Sequence, residues 1–231
     1  MEIAKVSEIF LSYQGEGTYA GSKQLFVRFF GCNMKCSFCD TKLEDYKSFT
    51  KESLLSRVLD FGEEYNEIVL TGGEPLLFSD FLVSFISMYK KHFNHKIYLE
   101  TNGTLPEELK KVIKYVDIIS MDIKLPSSTN DSMEVWNKHT EFIGIVGEKE
   151  LIVKAVVTGC TTIDDIKKMG ELIKSTSNNT TIVLQSVYVS EEDKFTEADE
   201  EMLMFFREYL KKETGKNILL LGQIHKYLSL K

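Results

Sequence analysis

Six short runs rich in β-branched and aromatic residues recur along the chain, each followed by a longer stretch of helical periodicity. That alternation restricts the fold more than any other feature. The runs are residues 25–30, 67–71, 96–101, 117–122, 151–157 and 181–186. Helical periodicity falls at 51–65, 79–93, 106–115, 135–146, 163–175 and 197–213, the last opened by Thr196 as a cap. Parallel neighbours need a long crossover, so strand–helix–strand units in series predict a parallel sheet with helices packed on it. Six such strands predict an α/β fold of the incomplete parallel β/α barrel type. One further strand is expected at 217–221 and an N-terminal edge strand at 3–11. The 231 residues contain no internal repeat, low-complexity tract or linker and are expected to form one domain.

Polar and glycine-rich residues gather just after the predicted strands, at 31–41, 71–75, 100–103 and 120–126. In parallel barrels the strand C-terminal ends carry the chemistry, so these segments are expected on one rim. The first holds Cys32, Cys36 and Cys39 at C-x3-C-x2-C spacing. Iron–sulfur clusters are held by cysteine thiolates, normally one per iron of a four-iron cube. Three thiolates from one loop hold three corners and leave the fourth iron to an exogenous ligand. That arrangement suits chemistry better than electron storage. The competing reading is a structural zinc site completed by Cys160 or a histidine. Such sites favour paired C-x2-C units or cysteine–histidine combinations, and no second cysteine pair exists here. Cys160 follows an apolar run and is expected simply to pack.

Thr71-Gly72-Gly73-Glu74-Pro75 ends the second run. Two glycines at a strand end let a backbone approach a ligand, and Glu74 offers a carboxylate to an ammonium group. An ordinary tight strand-to-helix turn is the alternative. Arg28 interrupts an apolar strand, where an arginine either meets an anionic partner or faces the surface. His92, His95 and His139 fall in charged stretches and are expected to be exposed.

C-x3-C-x-(aromatic)-C followed by a strand-end Gly-Gly-Glu-Pro resembles the radical S-adenosylmethionine superfamily. The resemblance implies that the cofactor's amino and carboxylate groups chelate the open iron of a [4Fe-4S] cluster. One-electron transfer then splits it to methionine and a 5′-deoxyadenosyl radical. More specific segments surround this core: Gln14-Gly15-Glu16-Gly17, the end of the cysteine loop at Cys39-Asp40-Thr41, Glu100-Thr101-Asn102-Gly103, and the tail His225-Lys226-Tyr227-Leu228. From about residue 8 to the C-terminus this ordered set is similar to the 7-carboxy-7-deazaguanine synthase family, ring-contracting enzymes of deazapurine biosynthesis.

That second resemblance implies roles by position. Tyr13, Gln14, Gly15 and Arg28 would bind a pterin substrate, with Glu16 beside them, and Thr71 and Lys231 would also reach it. Phe38, Cys39, Asp40, Gly73, Ser120, Gln185, Ser186, Val187 and Tyr188 would line the S-adenosylmethionine site. Thr41 would ligate a magnesium ion that meets the substrate carboxylate, and the C-terminal tail would close the site. The family's Ser-Pro-Lys after the fourth strand is replaced here by Ser120-Met121-Asp122-Ile123-Lys124, so the carry-over stops at Ser120. The implied reaction converts 6-carboxy-5,6,7,8-tetrahydropterin to 7-carboxy-7-deazaguanine with loss of ammonia.

Composition narrows the partners. A net charge of −7 argues against a broad electrostatic grip on nucleic acid, which disfavours a transfer RNA modifier. No run of about 18 apolar residues predicts a membrane span. The segment MEIAKVSEIF lacks the apolar core of a secretory signal, and four cysteines make no disulfide framework, so the cytoplasm is expected. The expected partners are the small-molecule substrate, an electron donor such as flavodoxin or ferredoxin, and a second copy of the chain as a homodimer. Two other functions share parts of the pattern. A glycyl-radical enzyme activase would keep the cysteine loop and the Gly-Gly-Glu segment. A non-catalytic iron–sulfur electron carrier would need a fourth cysteine ligand.

Overall fold

The computed structural model describes residues 2–39, 41, 44–129, 135–177, 179–189 and 196–223. Its strands are β1 (Ala4–Tyr13), β2 (Lys23–Phe29), β3 (Lys47–Phe49), β4 (Glu67–Gly72), β5 (Lys96–Thr101), β6 (Ile118–Ile123), β7 (Glu150–Val157), β8 (Thr181–Ser186) and β9 (Ile218–Leu221). They form one sheet in the order β3-β1-β2-β4-β5-β6-β7-β8-β9. Every neighbouring pair from β2 to β9 is parallel, and β1 runs antiparallel to β2 and β3. The crossovers carry α1 (Lys51–Leu59), α2 (Ser79–Tyr89), α3 (Pro106–Val112), α4 (Pro126–Thr129), α5 (Val135–Val146), α6 (Ile163–Lys174) and α7 (Glu200–Thr214). The expected strand set and the strand at 217–221 are present. Strand β1 is not the edge of the sheet, however, because β3 pairs on its outer side.

Helix ends follow local capping chemistry rather than the apolar period. Thr50 caps α1 through a reciprocal box with Ser53, and α1 ends at Leu59, short of the expected residue 65. The last helix is capped by Asp199, whose side chain accepts from Met202 N–H. Thr196 instead accepts Gly159 N–H through its carbonyl. Gly215, at φ +68°, closes α7 by donating to the Lys211 carbonyl, a left-handed turn that costs glycine nothing sterically.

Strands with two buried faces read as nearly continuous apolar runs, and their alternation sorts residues between the faces. One face carries Leu25, Val27, Phe29, Ile68, Leu70, Ile97 and Leu99 into the main core beneath the helices. The other carries a smaller cluster of Phe10, Phe26, Val69, Tyr98, Ile118, Ile152 and Val183. The segment between β1 and β2 lies across this second face. Tyr19 packs edge-on against Tyr98 of β5, with ring centroids 5.3 Å apart, and its hydroxyl donates to Glu150 at the start of β7, 2.7 Å away. A connection from β2 that reaches β7 requires the sheet to curl around it. The architecture is therefore an open, partial barrel whose concave face is plugged from the strands' N-terminal end by residues 14–22.

Candidate functional site

Opposite that plug, at the strand C-terminal ends, lies the cysteine loop. Its root is a contact between two backbones. Gly73 N–H donates to the Phe29 carbonyl (3.2 Å) and Glu74 N–H to the Gly31 carbonyl (2.9 Å). A Cβ on Gly73 would lie 2.2 Å from the Gly31 oxygen and 2.9 Å from Cys32 Cβ. The close approach that the paired glycines permit is thus to the chain's own cysteine loop. Further along, Cys39 N–H donates to the Cys36 carbonyl, folding the C-x2-C into a turn, and the Cys39 thiol lies 3.9 Å from the Thr41 carbonyl. Ser37 ties the turn to α4 by donating to the Ser128 carbonyl (2.7 Å) and, from its backbone, to that of Thr129 (3.2 Å).

Glu74 does not present its carboxylate to an ammonium group, as its position in the motif suggested. It is fully buried and accepts from the Thr101 hydroxyl (2.9 Å), Asn102 N–H (2.8 Å) and Leu76 N–H (3.0 Å). Burial raises its carboxyl to about 7, against the pull of these donors. Its role is to strap the end of β4 to the end of β5. From that strap Asn102 Nδ2 reaches the Asn33 side chain (2.9 Å), and Asn33 Nδ2 donates to the Thr104 hydroxyl (2.8 Å). The cysteine loop is thereby fixed to three strand ends before any metal arrives.

All four cysteines are free thiols. Burial pushes the Cys36 thiol up to about 11, so metal entry must displace its proton. Among the described residues no three His, Cys, Asp or Glu side chains converge as they would around a single ion. Three free thiols on one anchored loop, with Cys160 on a separate turn after β7, supply three corners of a four-iron cluster. Cys160 is exposed at the turn after β7 rather than packed.

Charged side chains line the concave face between the loop and the plug. Arg28 meets its anionic partner: Nε donates to Glu8 Oε2 at 3.2 Å across the β1–β2 pair, and the guanidinium lies 5.5 Å from the Phe10 ring centre. Thr71 is its register neighbour on β4. Gln14 is buried with its amide fully engaged. Nε2 donates to Gln24 (3.1 Å) and Glu100 (2.9 Å), while Oε1 accepts the N–H groups of Gly15 and Glu16. Glu16 pairs with Lys154 and accepts from Gln185 (3.2 Å) and Gln223 (2.8 Å). Lys154 also lies 3.9 Å from Asp122, which holds Lys124 at 2.8 Å. The Lys124 ammonium sits 5.5 Å from the centre of the Phe38 ring in the cysteine loop. Burial opposes charge on Lys124, but Asp122 and Cys36 outweigh it and hold the amine above its ordinary value.

His139 is fully buried, contrary to the expected exposure. Its Nε2 accepts Lys124 N–H (3.1 Å), so Nδ1 carries the proton and donates to the Gly103 carbonyl (3.0 Å). Burial lowers its pKa to about 4. A depressed histidine contributes stability above its unfolded value near 6.5 and loses it as pH falls toward 4, roughly 3 kcal/mol in all. Glu74, raised by burial, acts in the opposite sense over nearly the same range, so the comparison must be with a variant. The stability advantage of the wild type over His139→Gln is expected to shrink by about 3 kcal/mol between pH 7 and pH 4 in urea unfolding. An advantage constant with pH would show that the imidazole titrates normally.

The concave face thus assembles Gln14, Gly15, Glu16, Arg28, Thr71 and Gln185, and the rim adds Phe38, Cys39 and Gly73. Tyr13 is not brought in by its side chain. It is half-exposed and alternates with the inward Phe10 and Ser12. Ser120 lies within β6, one layer below the rim, and the β6 rim is formed by Asp122 and Lys124. Ser186 turns away to Glu197 (3.3 Å), Val187 is buried, and Tyr188 is partly exposed. Asp40, the tail with His225, and Lys231 lie outside the described residues. Sequence reasoning passed over Lys154, although an isolated lysine in an apolar strand is the same signal that singled out Arg28.

Comparison with known proteins agrees with this geometry. Residues 26–165 match the model of the radical SAM superfamily. The 7-carboxy-7-deazaguanine synthase of Geobacter sulfurreducens is 34% identical over 80% of this chain and 82% of its own length. That of Archaeoglobus fulgidus is 29% identical over 99% of both chains. Among solved structures, QueE from Escherichia coli superposes with a TM-score of 0.61 at 18% identity, covering 96% of this chain and 95% of that one, a likeness of fold. An anchored three-cysteine loop on a partial barrel, matched in sequence along most of its length, places the chain in the radical SAM superfamily and, within it, in the 7-carboxy-7-deazaguanine synthase family.

Proposed function

We propose that the chain contracts 6-carboxy-5,6,7,8-tetrahydropterin to 7-carboxy-7-deazaguanine with release of ammonia, a step of queuosine- or archaeosine-type deazapurine biosynthesis. The observation that carries this reading is the facing of two segments across one concave surface. The cysteine loop lies on the rim, and the Gln14–Gly17 segment with Arg28 lies beneath it. S-Adenosylmethionine on the cluster supplies, when bound, the radical that takes hydrogen from the substrate. The protein's own work is to bind, orient and exclude water.

A carboxylated substrate needs positive charge, and Arg28 supplies it from β2. The pterin's guanidine-like edge needs acceptors, and the Gln14–Glu16 floor and Glu100 face the same cavity. Gln14 itself acts by shaping that floor, since its amide is committed within the protein. Thr41 is suited to a magnesium ion shared with the substrate carboxylate, because magnesium takes oxygen ligands and keeps several waters. Phe38, Gly73 and Gln185 bound the S-adenosylmethionine site within one domain. A flavodoxin or ferredoxin supplies the electron, the enzyme works as a homodimer, and its place is the cytoplasm. No helix among the described residues is long and apolar enough to cross a membrane.

Anaerobic incubation with carboxytetrahydropterin, S-adenosylmethionine, reductant and magnesium tests the reading by mass analysis. The expected product has lost the elements of ammonia and nothing else, with no stoichiometric accumulation of 5′-deoxyadenosine. Unchanged pterin beside cleaved S-adenosylmethionine would contradict it.

A further inference from the structure

Lys154 stands alone as a cation in β7, a strand that starts at Glu150 and is otherwise made of Leu151, Ile152, Val153, Ala155, Val156 and Val157. Its side chain is only 16% exposed, a site where an unpaired ammonium is strongly disfavoured. Burial pushes its pKa down, but Glu16 and Asp122, with Glu100 adding to them, more than reverse the effect and keep it charged. A buried ion pair adds little net stability over an apolar replacement, so its value lies in the geometry it imposes.

That geometry centres on Glu16. One carboxylate oxygen meets Lys154, and the other accepts from Gln185 of β8 and Gln223 beyond β9. The backbone of Glu16 is held by Gln14. A residue of the floor segment is therefore gripped from β7, from β8 and from the segment after β9, and among the partners named here Lys154 supplies the charge. Through Asp122 the same ammonium is linked to Lys124 and the rim. Glu16 is adjacent to the expected pterin contacts, whereas Lys154 is set behind it.

We propose that Lys154 is a positioning residue that holds Glu16, and with it the 14–17 floor, in the arrangement that receives the pterin. The inference rests on the ring-contraction reading, and the two fail differently. Wild-type protein that does not convert carboxytetrahydropterin overturns that reading. Within an active wild type, the Lys154 proposal stands or falls on a double-mutant cycle.

Steady-state kinetics of Lys154→Met, Glu16→Gln and the double variant are measured on reconstituted enzyme. Lys154→Met is expected to raise the pterin KM about tenfold and the S-adenosylmethionine KM less than about threefold, with cluster absorbance unchanged. Added to Glu16→Gln, the same substitution should change the pterin KM less than about twofold, because its target is already gone. Lys154→Arg should restore most of the lost affinity. Equal rises in both KM values, or additive effects in the cycle, overturn the proposal. If Lys154→Met does not fold, the double variant decides, since it removes the buried charge mismatch. A pterin KM more than about threefold above that of Glu16→Gln alone then overturns it.

Discussion

Alanine at Cys32, Cys36 or Cys39 abolishes the visible absorbance of the anaerobically reconstituted protein and lowers turnover by at least about a thousandfold, because the cofactor carries the chemistry. Alanine at Cys160 leaves both unchanged. The three loop cysteines are held on one turn by Ser37, Asn33 and the Gly73–Gly31 contact, so losing any one removes a corner of the cluster. Cys160 follows β7 on a separate turn, where its backbone is held by Thr158. Iron and sulfide analysis beside the absorbance spectrum separates lost cluster from lost fold. A colourless Cys160→Ala protein would mean that four thiolates hold the metal, and the electron-carrier reading would replace the catalytic one.

Gly73→Ala is expected to be nearly as damaging, on steric grounds alone. The new methyl would sit 2.2 Å from the Gly31 oxygen and 2.6 Å from its carbon, both backbone atoms that no rotamer can clear. Either β4 separates from β2 at its C-terminal end or the cysteine loop is displaced. Overpacking of this kind costs about 3 kcal/mol, which in a chain of this size lowers the melting temperature by roughly 10 °C. Iron incorporation should fall with it, since Cys32 is the next residue along the displaced backbone. A Gly73→Ala protein with wild-type melting temperature and iron content would show that the glycine pair does not set the root of the loop.

Much of this was legible in the chain because one signal was repeated. Alternating β-rich and helical runs located the parallel strands, and the same alternation put residues 31–41 and 71–75 on one rim. Strand β3 was missed because Lys47-Ser48-Phe49 has no apolar period; it exists only by pairing with β1. His139 was misread from its charged neighbours. Its spacing was the better guide, because Val135, His139, Phe142, Ile143 and Val146 form one buried helical face. Glu74 could not be resolved from sequence, since its donors Thr101 and Asn102 lie on another strand. The strand pattern put 120–126 on the rim, but β6 runs on to Ile123, so Ser120 lies within the strand and Asp122 and Lys124 reach the rim.

The Gln14–Gly17 segment shows why motif order alone does not describe a site. In sequence it precedes the cysteine loop, and in space it enters from the opposite end of the barrel. Gln14 ties it to Gln24 on β2 and Glu100 on β5, and Glu16 ties it to β7 and β8. The floor is thus built from buried polar groups tied to one another, with Gln185 Oε1 buried at its edge without a hydrogen-bond partner among the described residues.

The account depends on an iron that protein thiolates leave open to S-adenosylmethionine. Electron paramagnetic resonance of the dithionite-reduced, reconstituted protein, recorded with and without the cofactor, examines that point most directly. The predicted result is a four-iron signal whose g-values shift when S-adenosylmethionine is added, with hyperfine coupling from its labelled amino nitrogen. A spectrum indifferent to the cofactor, with no such coupling, would contradict it.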